Sequence, residues 1–164
     1  MPVLFEFCQW LQETNISTSI RESNILFPFI EGTHLLGLGV SAGTIAMSDL
    51  RLLGVLMKKE KASKVFDALL PFTIAGFVIV LGTGSLLFLA EPAKSYANPW
   101  FWLKLTFMAL AGINALVYHT TVHKRIAQWD SAAITPMGAK MAGVFSLVFW
   151  SMVIWLGRQF AYSH

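Results

Sequence analysis

The feature that most constrains the fold is a set of four long apolar stretches separated by short polar connections. They cover about residues 27–48, 66–90, 99–121 and 137–160. A helix that crosses the hydrocarbon core of a bilayer, about 30 Å thick, needs about 20 such residues. We therefore predict an all-α integral membrane protein in which residues 1–164 form one bundle of four transmembrane helices.

The composition agrees with this prediction and limits the classes of partner. Hydrophobic residues make up 55% of the chain and charged residues 13%, whereas a soluble domain has about 25% charged residues. The net charge of +3 does not indicate nucleic acid, because the basic residues lie in short loops beside apolar stretches. The lipid bilayer is the predicted partner. The single cysteine, Cys8, excludes an internal disulfide and a cysteine-built zinc site.

A shorter amphipathic segment precedes the first stretch, at about residues 3–13. It is too short to cross a bilayer, so we predict a helix that lies in the membrane interface. Its apolar residues fall on one helical stripe: Leu4, Phe7, Cys8 and Leu11.

Local signals predict where several helices begin. Ser19 and Glu22 have the spacing of a capping box, which predicts the start of a short helix. Asn98 precedes Pro99 and is a suitable cap for the third long helix. Pro136, at the end of a polar stretch that begins at Val122, marks the start of the fourth.

The distribution of Lys and Arg predicts the orientation. Most of these residues lie in or beside the first and third connections between the long stretches, and few lie on the opposite side. The positive-inside rule therefore places both chain termini outside. The residues on the predicted inner side are Arg51, Lys58, Lys59, Lys61, Lys64, Lys124, Arg125 and Lys140.

The first long stretch carries an acid and an imidazole one helical turn apart, Glu31 and His34. Ionisable residues within a span are costly and are by default candidates for a functional site. Small residues continue the His34 face and would allow a flat macrocycle to approach the helix: Gly37, Ser41, Thr44 and Ser48.

The depths of the two histidines in the spans constrain a haem hypothesis. At about 1.5 Å per residue, His34 lies about 11 Å and His119 about 28 Å below the start of their spans. Axial ligands face each other across about 4 Å, so one iron cannot bind both. Either His34 binds one outer-side haem, with Met108 or Met152 at nearly the same depth, or His34 and His119 serve separate sites. Ligation by His and Met raises the haem potential.

Other interpretations of His34 stay open. A lone His in a span is as often a hydrogen-bonded packing residue as a metal ligand. The spacing of Glu31 and His34 also occurs in di-iron bundles, but no second such motif is present. A copper site near the outer face, built from His34, Glu31 and a Met, is the remaining metal alternative.

Four other polar residues in the spans have structural explanations. Lys104 can extend its amine outward, pair with Glu31, or hold a haem propionate or an anionic quinone group. Asn114 predicts a hydrogen bond between helices. Asp49 and Arg51 are predicted at the inner surface, as an ion pair or in contact with lipid headgroups.

Several motifs together carry a resemblance to a family. They are Pro28-x-x-Glu31-x-x-His34-Leu-Leu-Gly37, Asp49-Leu-Arg51-Leu-Leu-Gly54, Asn98-Pro99 with Lys104, and Ala111-Gly-Ile-Asn114 with His119. The sequence resembles a group of small bacterial four-helix membrane proteins without an established function. The resemblance implies a multi-pass protein of the bacterial inner membrane, with periplasmic termini if the charge rule holds. More distantly, the His-bearing spans are similar to b-type membrane cytochromes and to the membrane part of copper-resistance proteins.

The functional hypothesis is a membrane protein that binds haem b and transfers electrons between a quinol and a redox protein on the outer side. The alternatives are a non-redox assembly or anchor subunit and a small copper-handling protein. No nucleophile–base pair, phosphate-binding loop or hydrolytic metal triad occurs in the sequence, so a hydrolase or transferase is not predicted. The glycine-rich helix faces predict a homo-oligomer.

Overall fold

The computed structural model describes residues 2–130 and 135–163, and these ranges are helical, with no strand. Residues 131–134, in the predicted polar stretch before Pro136, lie outside the described residues. The elements in chain order are α1 (Pro2–Gln12), α2 (Asn15–Arg21), α3 (Leu26–Leu52), α4 (Ala62–Ala90), α5 (Pro92–Ala97), α6 (Pro99–Thr121), a 3-10 turn (His123–Arg125), α7 (Ile126–Trp129) and α8 (Met137–Tyr162).

Four helices, α3, α4, α6 and α8, are long and apolar enough to cross a membrane, which confirms the predicted number of long helices. The helix α6 begins at Pro99, where Asn98 Oδ1 accepts a hydrogen bond from the Trp100 amide at 2.9 Å. The helix α3 ends at Leu52, four residues beyond the first predicted apolar stretch. The reason is Gly54, whose φ of 71° lies in the left-handed region that ends a helix.

The long helices form two closely packed pairs. α3 packs against α4, α6 packs against α8, and α3 also packs against α8. Aromatic side chains connect α4 to α6, with ring centroids 5.7 Å apart for Phe88 and Phe101. We call the end that holds α1, α2, α5 and the last turn of α8 the terminal end. We call the end that holds the α3–α4 and α6–α8 connections the loop end.

Small residues determine how closely α3 and α4 approach. A Cβ atom on Gly76 of α4 would lie 2.7 Å from the backbone nitrogen of Ser41 and 2.9 Å from the carbonyl oxygen of Gly37. Because both are backbone atoms, no change of side-chain conformation could relieve this overlap. The glycine at position 76 therefore permits the close approach of α3 and α4.

Short helices cover the terminal end. α1 packs on α5 and exposes the side chains of Leu4 and Phe7. Ser17 of α2 donates a hydrogen bond to the carbonyl of Ala90, at the end of α4. The predicted capping box is wrong: Thr14 caps the start of α2, whereas Glu22 lies at its end.

Two hydrogen-bonded clamps organise the loop end. Arg51 donates two hydrogen bonds to the carbonyl of Glu60, at 2.9 and 2.6 Å, and so closes the α3–α4 connection. Asp130, just after α7, accepts hydrogen bonds from the amide and the hydroxyl of Ser63 in the first turn of α4, at 2.9 and 2.6 Å. Desolvation raises the pKa of Asp130, but the bonds from Ser63 and the charge of Lys61 outweigh it, and the net pKa is lowered.

Candidate functional site

The predicted ligand His34 lies in the terminal half of α3 and faces α4. Its Nδ1 atom is 3.0 Å from the hydroxyl oxygen of Thr83. The ring also lies close to the α4 backbone, since a Cβ atom on Gly84 would be 3.2 Å from His34 Cε1. A side chain at position 84 would crowd the imidazole, and the glycine leaves room for it.

The hydrogen bonds of Thr83 determine which nitrogen of His34 carries the proton. The Thr83 hydroxyl donates to the carbonyl of Ile79 at 2.6 Å, which uses its only hydrogen. Its oxygen must then accept from His34, so Nδ1 is the protonated nitrogen. The carbonyl of Val80 is 3.4 Å from the same hydroxyl and also lies near the imidazole. This assignment leaves the lone pair of Nε2 free, and Nε2 makes no hydrogen bond within residues 2–130 and 135–163.

Lys104 is half-buried on α6 and extends along α8. Its Nζ atom is 3.6 Å from where a Cβ atom on Gly157 would lie. In the part of the chain that the structure describes, no salt bridge joins Lys104 to Glu31, whose side chain is exposed. The Lys104 ammonium is instead near enough to His34 for the two groups to interact electrostatically.

The two candidate partner ligands, Met108 and Met152, are half-buried on α6 and α8. Counted from the terminal ends of their helices at about 1.5 Å per residue, both lie about 14 Å deep, and His34 lies about 12 Å deep. α8 packs against α3, whereas α6 packs chiefly against α8. Met152 therefore lies on a helix that packs against the helix of His34, whereas Met108 lies one helix farther away.

His119 belongs to a different region, at the loop end. Its ring lies 4.9 Å from that of His123 and 5.4 Å from that of Tyr118, and the side chain is exposed on the bundle surface. At about 1.5 Å per residue it is about 18 Å deeper than His34. The two histidines are not brought together, and the arrangement with one haem shared between them has no support in the fold.

Within the described ranges, no group of three or more His, Cys, Asp or Glu side chains is placed to hold a metal ion. A copper site made only of such side chains would need a group of this kind. Haem differs, because the porphyrin supplies four of the six iron ligands and the protein adds only axial ones.

Sequence reasoning missed two residues that shape these regions, Thr83 and Tyr118. Thr83 sets the tautomer of His34, and Tyr118 and His123 form the aromatic cluster around His119. The sequence signal for Thr83 was weak, because a threonine in an apolar helix normally bonds only to its own backbone. Tyr118 was detectable as a polar side chain at the end of a span.

Comparison with known proteins places the chain in a family but does not assign an activity. No curated protein and no solved structure matches the sequence, so a similarity to cytochromes or copper-resistance proteins is not found. A family of unknown function, DUF6644, matches residues 7–163, which is nearly the whole chain. The chain therefore belongs to the DUF6644 family.

Proposed function

We propose that this protein is a b-type haem protein of the bacterial inner membrane that transfers electrons, with His34 as an axial ligand. The observation that carries the proposal is the hydrogen bond from His34 Nδ1 to Thr83. Histidines that bind metals almost always donate their other ring N–H to a neighbouring acceptor, which fixes the ring and leaves one lone pair for the metal. The ring of His34 is held in this way.

The surroundings of His34 fit a haem in two further respects. Lys104, which has no carboxylate partner among the described residues, is a cation in the same half of the bundle and could pair with a haem propionate. Met152 and Met108 lie at the level of His34 and offer a thioether as the second axial ligand. When bound, haem b would supply a one-electron couple; His34 would bind it and Lys104 would hold its propionate.

The proposed electron donor is a quinol in the bilayer, and the proposed acceptor is a redox protein at the terminal end. His34, Lys104 and Glu31 all lie in the terminal half of the bundle, so a cofactor there would be close to that surface. The excess of basic residues at the loop end favours a periplasmic position for the terminal end.

The test is the reduced-minus-oxidised absorbance spectrum of protein purified in detergent after expression with ample haem, with haem and metal content measured on the same samples. We expect sharp α and Soret bands in the wild type, which His34→Ala loses and His119→Ala keeps. Because an orienting partner is worth about 10- to 100-fold in affinity, Thr83→Val should lower haem affinity by that factor.

Thr106→Val is the matched control for Thr83→Val. The Thr106 hydroxyl also donates to the carbonyl four residues before it, that of Trp102 at 2.9 Å, but it does not contact His34. Haem affinity should therefore be unchanged in this variant. A colourless wild type would refute the haem proposal: bound copper would then identify a metal-handling protein, and metal-free protein would favour an assembly or anchor subunit.

A further inference from the structure

Three buried polar atoms at the loop end have no hydrogen-bond partner among the residues that the structure describes. They are Oδ2 of Asp49, the hydroxyl oxygen of Tyr118 and Nδ1 of His123. The residues Asp49 and Tyr118 expose only 6% and 8% of their surface. Because an unpartnered buried polar group is costly, three of them in one region indicate that a polar partner lies among them.

These three residues lie close together in space, and we call them the loop-end polar cluster. The rings of Tyr118 and His123 lie 5.7 Å apart. The charge of Asp49 reaches Tyr118, and Leu52, almost one turn after Asp49, packs in the same buried group as Tyr118.

Two adjacent helices close the cluster. Phe66 of α4 lies against both rings, at 6.2 Å from that of Tyr118 and 6.0 Å from that of His123. Gly143 brings the backbone of α8 to that of Asp49, since a Cβ atom there would be 3.2 Å from the Asp49 carbonyl oxygen. These contacts enclose the cluster on two sides.

The chemistry of the cluster favours water and a proton over an ion. A metal cation lacks ligands, because the described residues contain no group of three His, Cys, Asp or Glu side chains. An anion would lie beside the Asp49 carboxyl, and the guanidinium of Arg51 donates instead to the carbonyl of Glu60. A buried water typically makes about three hydrogen bonds to otherwise unsatisfied groups. A carboxylate away from water is neutralised most simply by binding a proton.

We propose that Asp49 is a proton-binding site that exchanges protons with the solvent at the loop end through water held by the loop-end polar cluster. In the forward step a hydronium ion gives its proton to a carboxylate oxygen of Asp49 and becomes water. Tyr118 and His123 position the intervening water and carry the same charge before and after the transfer. This proposal does not depend on haem binding.

The other groups that face the cluster are accounted for. Ser146 of α8 lies near the Asp49 carboxyl. His119 lies beside His123 but is exposed on the bundle surface. Asp130 is near enough to Tyr118 to interact with it electrostatically, but its carboxylate accepts two hydrogen bonds from Ser63. Asp49 is therefore the carboxyl left to take up the proton.

The experiment is infrared spectroscopy of the full-length protein in lipid, in H₂O and in D₂O, across a pH titration. We expect the carbonyl band of a protonated carboxylic acid near neutral pH, which Asp49→Asn loses and Asp130→Asn keeps. The band should shift promptly on transfer to D₂O, because the site exchanges with solvent. Tyr118→Phe should keep the band and slow its exchange, because it removes a hydroxyl that positions the water.

Isotope labelling keeps the test decisive if Asp49→Asn fails to fold. The chain has three aspartates, Asp49, Asp67 and Asp130, so wild-type protein with ¹³C-labelled aspartate carboxyls should show the same band at lower frequency. Absence of any such band near neutral pH would overturn the proposal. A band that belongs to Asp49 but does not respond to D₂O would also overturn it, since the proton would then be trapped.

Discussion

Replacing Gly76 with alanine tests the packing of α3 against α4 at its closest point. The new Cβ atom would lie 2.7 Å from the Ser41 nitrogen, and ordinary van der Waals contact begins at 3.4 Å. The two helices would therefore have to separate locally by about 0.7 Å, the difference between these distances. Overpacking of this kind costs about 1–3 kcal/mol.

The matched control is Gly82→Ala on the same helix. No atom lies within 4 Å of a Cβ atom built on Gly82, so this substitution adds a methyl group without overlap. Each alanine gains up to about 1 kcal/mol of helix propensity over glycine. The gain is common to both variants and cancels in their difference, which leaves the packing term of about 1–3 kcal/mol.

Equilibrium unfolding in mixed micelles, followed by the fluorescence of the six tryptophans, measures that difference. Gly82→Ala should be as stable as the wild type or more so, and Gly76→Ala should be less stable than Gly82→Ala by about 5- to 150-fold in the unfolding constant. Equal stability of the two variants would refute the close approach of α3 and α4 at this position.

Three further substitutions test other contacts of the bundle. Asp130→Ala should lose about 1–2 kcal/mol at neutral pH, in proportion to a lost helix cap. Because the pKa of Asp130 is lowered in the folded protein, that contribution is present above the ordinary aspartate pKa of about 3.9 and should vanish as the pH falls through the folded value. Asn114→Ala removes the 2.9 Å bond to the Ala142 carbonyl and should cost about 0.6 kcal/mol in micellar unfolding. If the homo-oligomer forms through glycine faces, Gly39→Ile should dissociate it in crosslinking experiments, because no atom lies within 4 Å of a Cβ atom built on Gly39 or Gly43.

The number of long helices was predictable because length and apolarity decide it locally. The cap at Asn98 was predictable for the same reason, since its side chain bonds to an amide two residues away. The start of α2 was not, because Thr14 and Ser19 offered competing caps. Thr14 prevailed, and it both accepts from the Ser17 amide and donates to the Leu11 carbonyl.

The contact of His34 could not be predicted, because its partner Thr83 lies 49 residues away on another helix. Periodicity assigns a residue to a helix face, but it does not say which residue of a neighbouring helix lies opposite. The depth argument did separate His34 from His119, since depth depends only on the rise per residue. What the sequence lacked was the rotation of each helix about its own axis.

The predicted ion pair between Asp49 and Arg51 is wrong for a different reason. Residues two apart on a helix do not face each other, so the spacing itself argued against a pair. The structure follows this rule: Arg51 is bonded to the Glu60 carbonyl in the α3–α4 connection, whereas the Asp49 carboxyl points into the bundle with one oxygen unpartnered. When the nearest opposite charge along a helix lies on another face, a buried charged residue must find a different partner or become neutral. The spacing of Asp49 and Arg51 places Asp49 in this situation, and that spacing can be read from the sequence.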